Sequence, residues 1–260
     1  MIILIAESKT MLASEREVSP QEYQLHKPIY EEIASEIMES LAAESAAELA
    51  SMLKLSGSLA AKMKKMIYEF GYKGSGNPAI EAFTGVVFRS LDFASLPDEA
   101  KERCATEVRI ISSLYGWLRP FDIVKPYRLD FTSRLEVGPS GGRALNSFWR
   151  MDVTKALVKK LQGDNATEII DLLPGDASKC IDWKLVKRFA KVWKVDFQEI
   201  REGGAMKTPT AERLKAMRGL LLRQILIEDI RDVGALMHTS SPSYVCEGTP
   251  VYPDHLRFLC

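Results

Sequence analysis

IILIA, residues 2–6, is a run of five apolar residues that stops abruptly at Glu7-Ser8-Lys9-Thr10. A run this short and this continuous reads as a strand covered on both faces, the pattern of a buried parallel sheet rather than of a half-solvated edge. A second such run, Glu168 to Leu173, is closed by Pro174-Gly175-Asp176. Between Val192 and Ile200 the pattern alternates, with Trp193, Val195 and Phe197 against Lys194, Asp196 and Gln198, as in a half-exposed strand. With helical patterns between them, these strands predict an α/β (α+β) chain, a single domain over residues 1–260 with a mixed central sheet wrapped by helices. The polar residues just after the first buried strand are then candidate functional residues.

Helical spacing fills much of the rest. Pro28 to Leu41 places Ile29, Ile33, Ile37 and Leu41 four apart and reads as an acidic amphipathic helix. Ser45 and Glu48 fit a capping box opening a helix through Leu49, Met52 and Leu53, which should stop near Ser56 and Gly57. A second helix starts behind Ser58 as N-cap, with Leu59, Met63, Met66, Ile67 and Phe70 inward and Lys62, Lys64 and Lys65 outward. The two form a helical hairpin at about residues 45–72. Gly71 to Pro78 is a glycine-rich loop. Ser95, Pro97 and Asp98 open a helix expected to run through Val108 and Ile111 to Gly116. Asn146 to Leu161 and Thr208 to about Arg231 are further helices, and the turn-rich remainder carries short edge strands.

A formal net charge of zero over 260 residues hides an uneven distribution. Ser14 to Glu48 holds nine acidic and two basic residues, Trp183 to Arg218 ten basic and four acidic. Such asymmetry suits an anionic partner at one face, or two solvated helix surfaces. No apolar run approaches the roughly 20 residues of a membrane helix, and Ile2–Ile5 is too short for a signal-peptide core, so no membrane partner and a cytoplasmic location are expected. Cys104, Cys180, Cys246 and Cys260 lack C-x-x-C spacing and are expected as reduced structural thiols. No H-E-x-x-H, G-x-S-x-G, G-x-G-x-x-G or Walker motif occurs, and His26, His238 and His255 are far apart, so no metal or cofactor is expected.

The densest chemistry lies in Leu114 to Leu135, LYGWLRPFDIVKPYRLDFTSRL. Arg119, Lys125, Arg128 and Arg134 stand against Asp122 and Asp130, interleaved with Tyr115, Trp117, Phe121, Tyr127 and Phe131. Pro120 and Pro126 forbid one continuous helix, so turns and extended pieces should hold these side chains in fixed directions, suited to an anion. The late helix adds Lys215 and Arg218 on one face of an otherwise apolar cylinder, with Gly219 beside them where another backbone can approach closely. Cations on such a helix need anionic partners, either carboxylates such as Asp171 or Glu7 or a ligand.

Taken together, IILIAESKT, AFTGVVFRSL at Ala82 to Leu91, SSLYGWLRPFDIVKPYRL at Ser113 to Leu129, Ser147-Phe148-Trp149 and KAMRGLLLRQIL in the late helix resemble the YaaA family of bacterial peroxide-stress proteins, in the family's order and over nearly the whole chain. The resemblance implies a fold of the family's own with a helix-hairpin-helix element, double-stranded DNA as partner, and a part in peroxide defence linked to low free iron. Position by position it marks Ser8, Lys9, Thr10, Tyr115, Gly116, Arg119, Pro120, Pro126, Tyr127, Arg128, Arg134, Trp149, Lys215, Arg218 and Gly219. The match departs at Glu7, where members typically carry proline, and after Gly234.

Two functions follow. In the first, Arg119, Arg128, Lys215 and Arg218 line a basic cleft that binds duplex DNA without sequence preference and shields it from iron-driven damage, helped by Ser56, Gly57, Ser58, Lys62, Lys64 and Lys65 of the hairpin. In the second, Lys9, Arg119, Arg128, Lys215 and Arg218 converge in a closed pocket on a small anionic or phosphorylated substrate. An open groove or a small cavity separates the two.

Overall fold

The computed structural model describes residues 1–12, 24–71, 76–201, 203–250 and 253–260. Most of the acidic stretch before Gln24 and the middle of the Gly71 to Pro78 loop, with the last residue of the expected hairpin, lie outside the described residues. Ile2–Ala6 is the strand its sequence announces, buried along its whole length. It pairs in parallel with Val108–Ser112 on one side and with Glu168–Asp171 on the other. Next to Glu168–Asp171 runs Lys191–Ile200, and next to that His255–Leu259, both parallel. Antiparallel strands finish the sheet: Gly116–Leu118 at one margin, Tyr244–Cys246 and Ser240–Ser241 at the other, and Met206–Lys207 on the end of Lys191–Ile200. Five parallel strands with antiparallel margins are the mixed α/β sheet the sequence predicts.

Several boundaries differ from expectation. The helix opening at Asp98 stops at Glu107, and Val108–Ser112 is a strand buried at every position. Isolated helix spacing read V-R-I-I-S as more helix, but a two-faced parallel slot beside Ile2–Ala6 favours β-branched residues there. Gly116 is needed for a different reason than ending a helix. Its φ of +67° carries the turn into Gly116–Leu118, and a Cβ there would lie 2.6 Å from the Trp149 ring. Ile29 precedes the acidic helix Glu31–Ser40 and is exposed. The Asn146 helix divides at Trp149 into Leu145–Phe148 and Arg150–Asp164. His255–Leu259 lies inside the sheet, because its alternate residues Leu256 and Phe258 have a core to fill.

The helical hairpin forms, as Ala46–Leu53 and Gly57–Phe70, with the Ser45–Glu48 capping box in place. Ser56 rather than Ser58 is the N-cap of the second helix, accepting from Leu59 N–H. The late helix is Ala211–Ile227, capped by Thr210. A Cβ on Gly219 would stand 2.2 Å from the Val87 carbonyl oxygen, so this glycine lets the late helix touch the short helix Val86–Leu91. All four cysteines are free, Cys104 and Cys180 buried. Among the described residues no helix is long and apolar enough to cross a membrane.

Candidate functional site

Chain direction in the sheet places the site. After Ile2–Ala6 the chain moves to its neighbour Val108–Ser112, whereas after Glu168–Asp171 it moves the opposite way to Lys191–Ile200. The two loops diverge and leave a crevice beyond the carboxyl ends of these adjacent strands, the usual ligand position in open α/β sheets. A cavity of about 560 Å³ opens there. Its walls include Glu7 to Thr10 after the first strand, Leu172, Pro174 and Asp176 after the second, Arg89, Phe131, and Lys215 and Arg218.

The loop after the first strand is held by the proline-rich segment. Tyr127 donates its hydroxyl proton to Glu7 Oε2, which also accepts from Ser113 N–H at 2.9 Å. Ser112 Oγ lies 2.7 Å from the Tyr127 oxygen. Arg128 donates to the carbonyl of Lys9, and Asp130 pairs with the Lys9 ammonium at 2.5 Å. Ser8 Oγ donates to Thr10 O and accepts from Gly85 N–H at 3.0 Å. Tyr127, Arg128 and Asp130 thus fix the direction of Glu7 to Thr10, and Pro126 before them limits the backbone freedom that would blur it. Burial lifts the Glu7 carboxyl to about 7, opposed by its hydrogen bonds from Ser113 and Tyr127 and by the neighbouring Ser112 hydroxyl. A carboxyl poised near neutrality in a cavity can give or take a proton.

Positive charge prevails in the cavity. Lys9 is neutralised by Asp130, and Asp176 by Lys179 at 3.4 Å. What is left is Arg89, Lys215 and Arg218, on two helices that Gly219 brings into contact, against the single carboxyl of Glu7. Arg89 donates to Thr84 O at 2.9 Å. The internal salt bridges possible for the late helix are not made: among the described residues neither Lys215 nor Arg218 has a carboxylate within 4.0 Å, and the buried Nε of Arg218 has no hydrogen-bond partner. Burial lowers the Arg218 guanidinium, while Asp171 and Asp196 raise it through space. Asp171 itself is lifted to about 6 by burial, against its hydrogen bond from Leu173 N–H and the charges of Lys194 and Arg218. A guanidinium without an ion pair on a cavity wall suits an anion. Lys215 is exposed on the described surface.

Of the residues expected at one site, Ser8, Lys9, Thr10, Lys215 and Arg218 come together, and Tyr127 and Arg128 stand directly behind them. Arg119 does not join. Its Nε bonds Asp122 at 2.8 Å and its Nη2 bonds the Lys27 carbonyl at 2.9 Å. Arg134 donates to Gly142 O at 3.3 Å, outside the cavity wall. Tyr115 and Trp149 are buried; Tyr115 accepts from Lys125 N–H, and Trp149 donates to Ser113 O at 2.8 Å, bracing the residue that binds Glu7. On the hairpin, Ser56, Gly57, Ser58, Lys62 and Lys65 are exposed, Lys65 pairs with Glu69 at 3.5 Å, and Lys64 is tied to the carbonyls of Ala42 and Glu44 at 2.6 Å. Sequence reasoning left out Arg89 and offered Glu7 only as a polar residue after the first strand and a possible carboxylate partner of the late-helix cations. Glu7 directly follows the first buried strand, and Arg89 sits in the marker AFTGVVFRSL, so both had a signal. Among the described residues no group of three or more His, Cys, Asp or Glu is placed to hold a metal ion.

Comparison with known proteins gives a consistent result. The family described as "Peroxide stress protein YaaA" matches residues 1–249. A UPF0246 protein of Desulforapulum autotrophicum is 31% identical over 252 residues, 95% of each chain. A UPF0246 protein of Bordetella avium is 30% identical, covering 99% of this chain and 98% of its own.

Proposed function

From the fact that this chain belongs to the peroxide stress protein YaaA family, we propose that it serves the peroxide stress response through the switch-point cavity, which binds a small anion. The observation that carries this reading is one of size and charge together. About 560 Å³ is the volume of a small-molecule site and cannot admit a duplex. Arg89, Lys215 and Arg218 leave that volume positive after the internal pairs are discounted. Glu7 supplies an acid-base group beside the bound anion, so the site can carry chemistry as well as binding.

Inorganic phosphate titrated into the protein at low salt should bind in a saturable manner, and Lys215→Ala and Arg218→Ala should each weaken it at least tenfold. Equal affinity in both variants removes the cavity from the account. In peroxide-challenged cells, protection should fail with the Lys215→Ala/Arg218→Ala pair and persist with Lys62→Ala/Lys65→Ala.

Duplex DNA is the second reading, and the hairpin supports it. Ser56-Gly57-Ser58 is an exposed turn at the start of the 14-residue helix Gly57–Phe70; open space surrounds the position of a Gly57 Cβ, and Lys62 and Lys65 are exposed on the same helix. A phosphate could approach those backbone N–H groups, and DNA so covered would be shielded from iron-driven radicals. Such binding would fall with salt at a slope of about −0.9 per phosphate contact in a log–log plot. Retained duplex affinity in Lys62→Ala/Lys65→Ala would exclude the hairpin.

A further inference from the structure

The cavity is not uniformly cationic, and its polarity limits what fits. Arg89, Lys215 and Arg218 come from the two helices Val86–Leu91 and Ala211–Ile227. Glu7 comes from the strand end. Both hydrogen bonds received by Glu7, from Ser113 N–H and from the Tyr127 hydroxyl, land on Oε2. Oε1 accepts no hydrogen bond among the described residues, and it belongs to a side chain that lines the cavity. Ile5, Val86, Val87, Phe131 and Leu172 supply apolar wall.

Building on the anion reading above, we infer that the cavity takes an organic phosphomonoester, its phosphate against Arg89, Lys215 and Arg218 and an N–H or O–H group of its body donating to Oε1 of Glu7. Three cations exceed what one carboxylate neutralises and match a group with two negative charges and three oxygens able to accept forked donors. Arg218, whose buried Nε has no protein acceptor among the described residues, lines the cavity wall. Inorganic phosphate would occupy the cationic wall and leave the rest of the 560 Å³ to water. A ligand body with an apolar flank fills that space and gives a donor to Oε1, which has none among the described residues. A mononucleotide and a sugar phosphate share this chemistry. The apolar wall suits a base, the open carboxylate oxygen suits either.

Calorimetric titration of the full chain with inorganic phosphate, adenosine 5′-monophosphate and glucose 6-phosphate at one ionic strength tests this. At least one organic ester should bind ten or more times as tightly as phosphate, and which one does so identifies the body. Lys215→Ala, at an exposed position, and Arg218→Ala should weaken all three ligands. Glu7→Gln, which keeps an acceptor for Ser113 and Tyr127 but changes what Oε1 offers, should erase the organic margin while leaving phosphate affinity within twofold. Organic esters no tighter than phosphate, or a margin that survives Glu7→Gln, would overturn the inference. If in those cases phosphate still binds and Arg218→Ala abolishes it, the anion reading stands without the phosphomonoester; if none of the three ligands binds, both fall.

Discussion

Arg119 in the proline-rich segment and Arg218 in the late helix look alike in sequence, each a cation among apolar neighbours, and the fold uses them in opposite ways. Arg119 is enclosed by Asp122, which is fully buried and bonds both its backbone N–H and its Nε. Burial pushes the Asp122 carboxyl up, and Arg119 opposes that rise. Arg218 has no bonded carboxylate among the described residues and lines a cavity. Charge density along a chain therefore does not locate an anion site; cations left over after internal pairing do. The proline-rich segment, where arginines and aromatic residues interleave, acts mainly as a clamp that aims Glu7 to Thr10.

Removing each partner separately gives the largest contrast. Asp122→Ala leaves Arg119 and its backbone N–H without their acceptor and should cost about 4 kcal/mol in denaturant unfolding. Arg218→Ala should cost far less than that while losing the anion. Equal unfolding costs would erase the distinction between the two arginines.

Next comes Glu7, whose folded carboxyl near 7 stands above its ordinary 4.5. Between those values the folded chain keeps a proton that the unfolded chain releases, so stability is full below about pH 4.5, falls as pH rises to about 7, and then levels. The fall is about 3 kcal/mol from the size of the shift. Glu7→Gln should flatten it, leaving the variant more stable than the parent at pH 8; a parallel pH profile of unfolding midpoints in both proteins would remove Glu7 as its source.

Gly219→Ala probes the seam that carries Lys215 and Arg218 to the cavity. Its Cβ meets a backbone oxygen that cannot rotate away, so about 2 kcal/mol of stability should be lost together with anion affinity. Wild-type affinity in a folded Gly219→Ala protein would show that the cation wall tolerates helix displacement. The smallest effect belongs to Lys215→Ala, within about 0.5 kcal/mol on unfolding because the side chain is exposed, yet with a clear loss of phosphate binding.

Much of the architecture was legible because its signals are local. The unbroken apolar run Ile2–Ala6, the alternation from Val192 to Phe197, and the Ser45–Glu48 box each fix an element within a few residues. Val108–Ser112 was misread because short apolar runs satisfy helix and strand periods alike, and only the neighbouring strand decides between them. His255–Leu259 looked like an edge for the same reason, its partner lying about 60 residues earlier.

The sequence by itself determined that this is a mixed α/β chain of the peroxide stress family, that polar residues follow a buried first strand, and that the late helix carries two cations beside a glycine. Tertiary structure alone decided which charges cancel. Arg119 and Asp122, and Asp176 and Lys179, stand three residues apart and still need the right backbone turn to meet, whereas Lys9 reaches Asp130 from a distant segment and Arg218 is left without a carboxylate among the described residues. Glu7 shows the same division. Its place after a strand was written in the chain, but its carboxyl became part of the cavity wall only when Tyr127, 120 residues away, and Ser113 bonded one oxygen and left the other without a donor among the described residues.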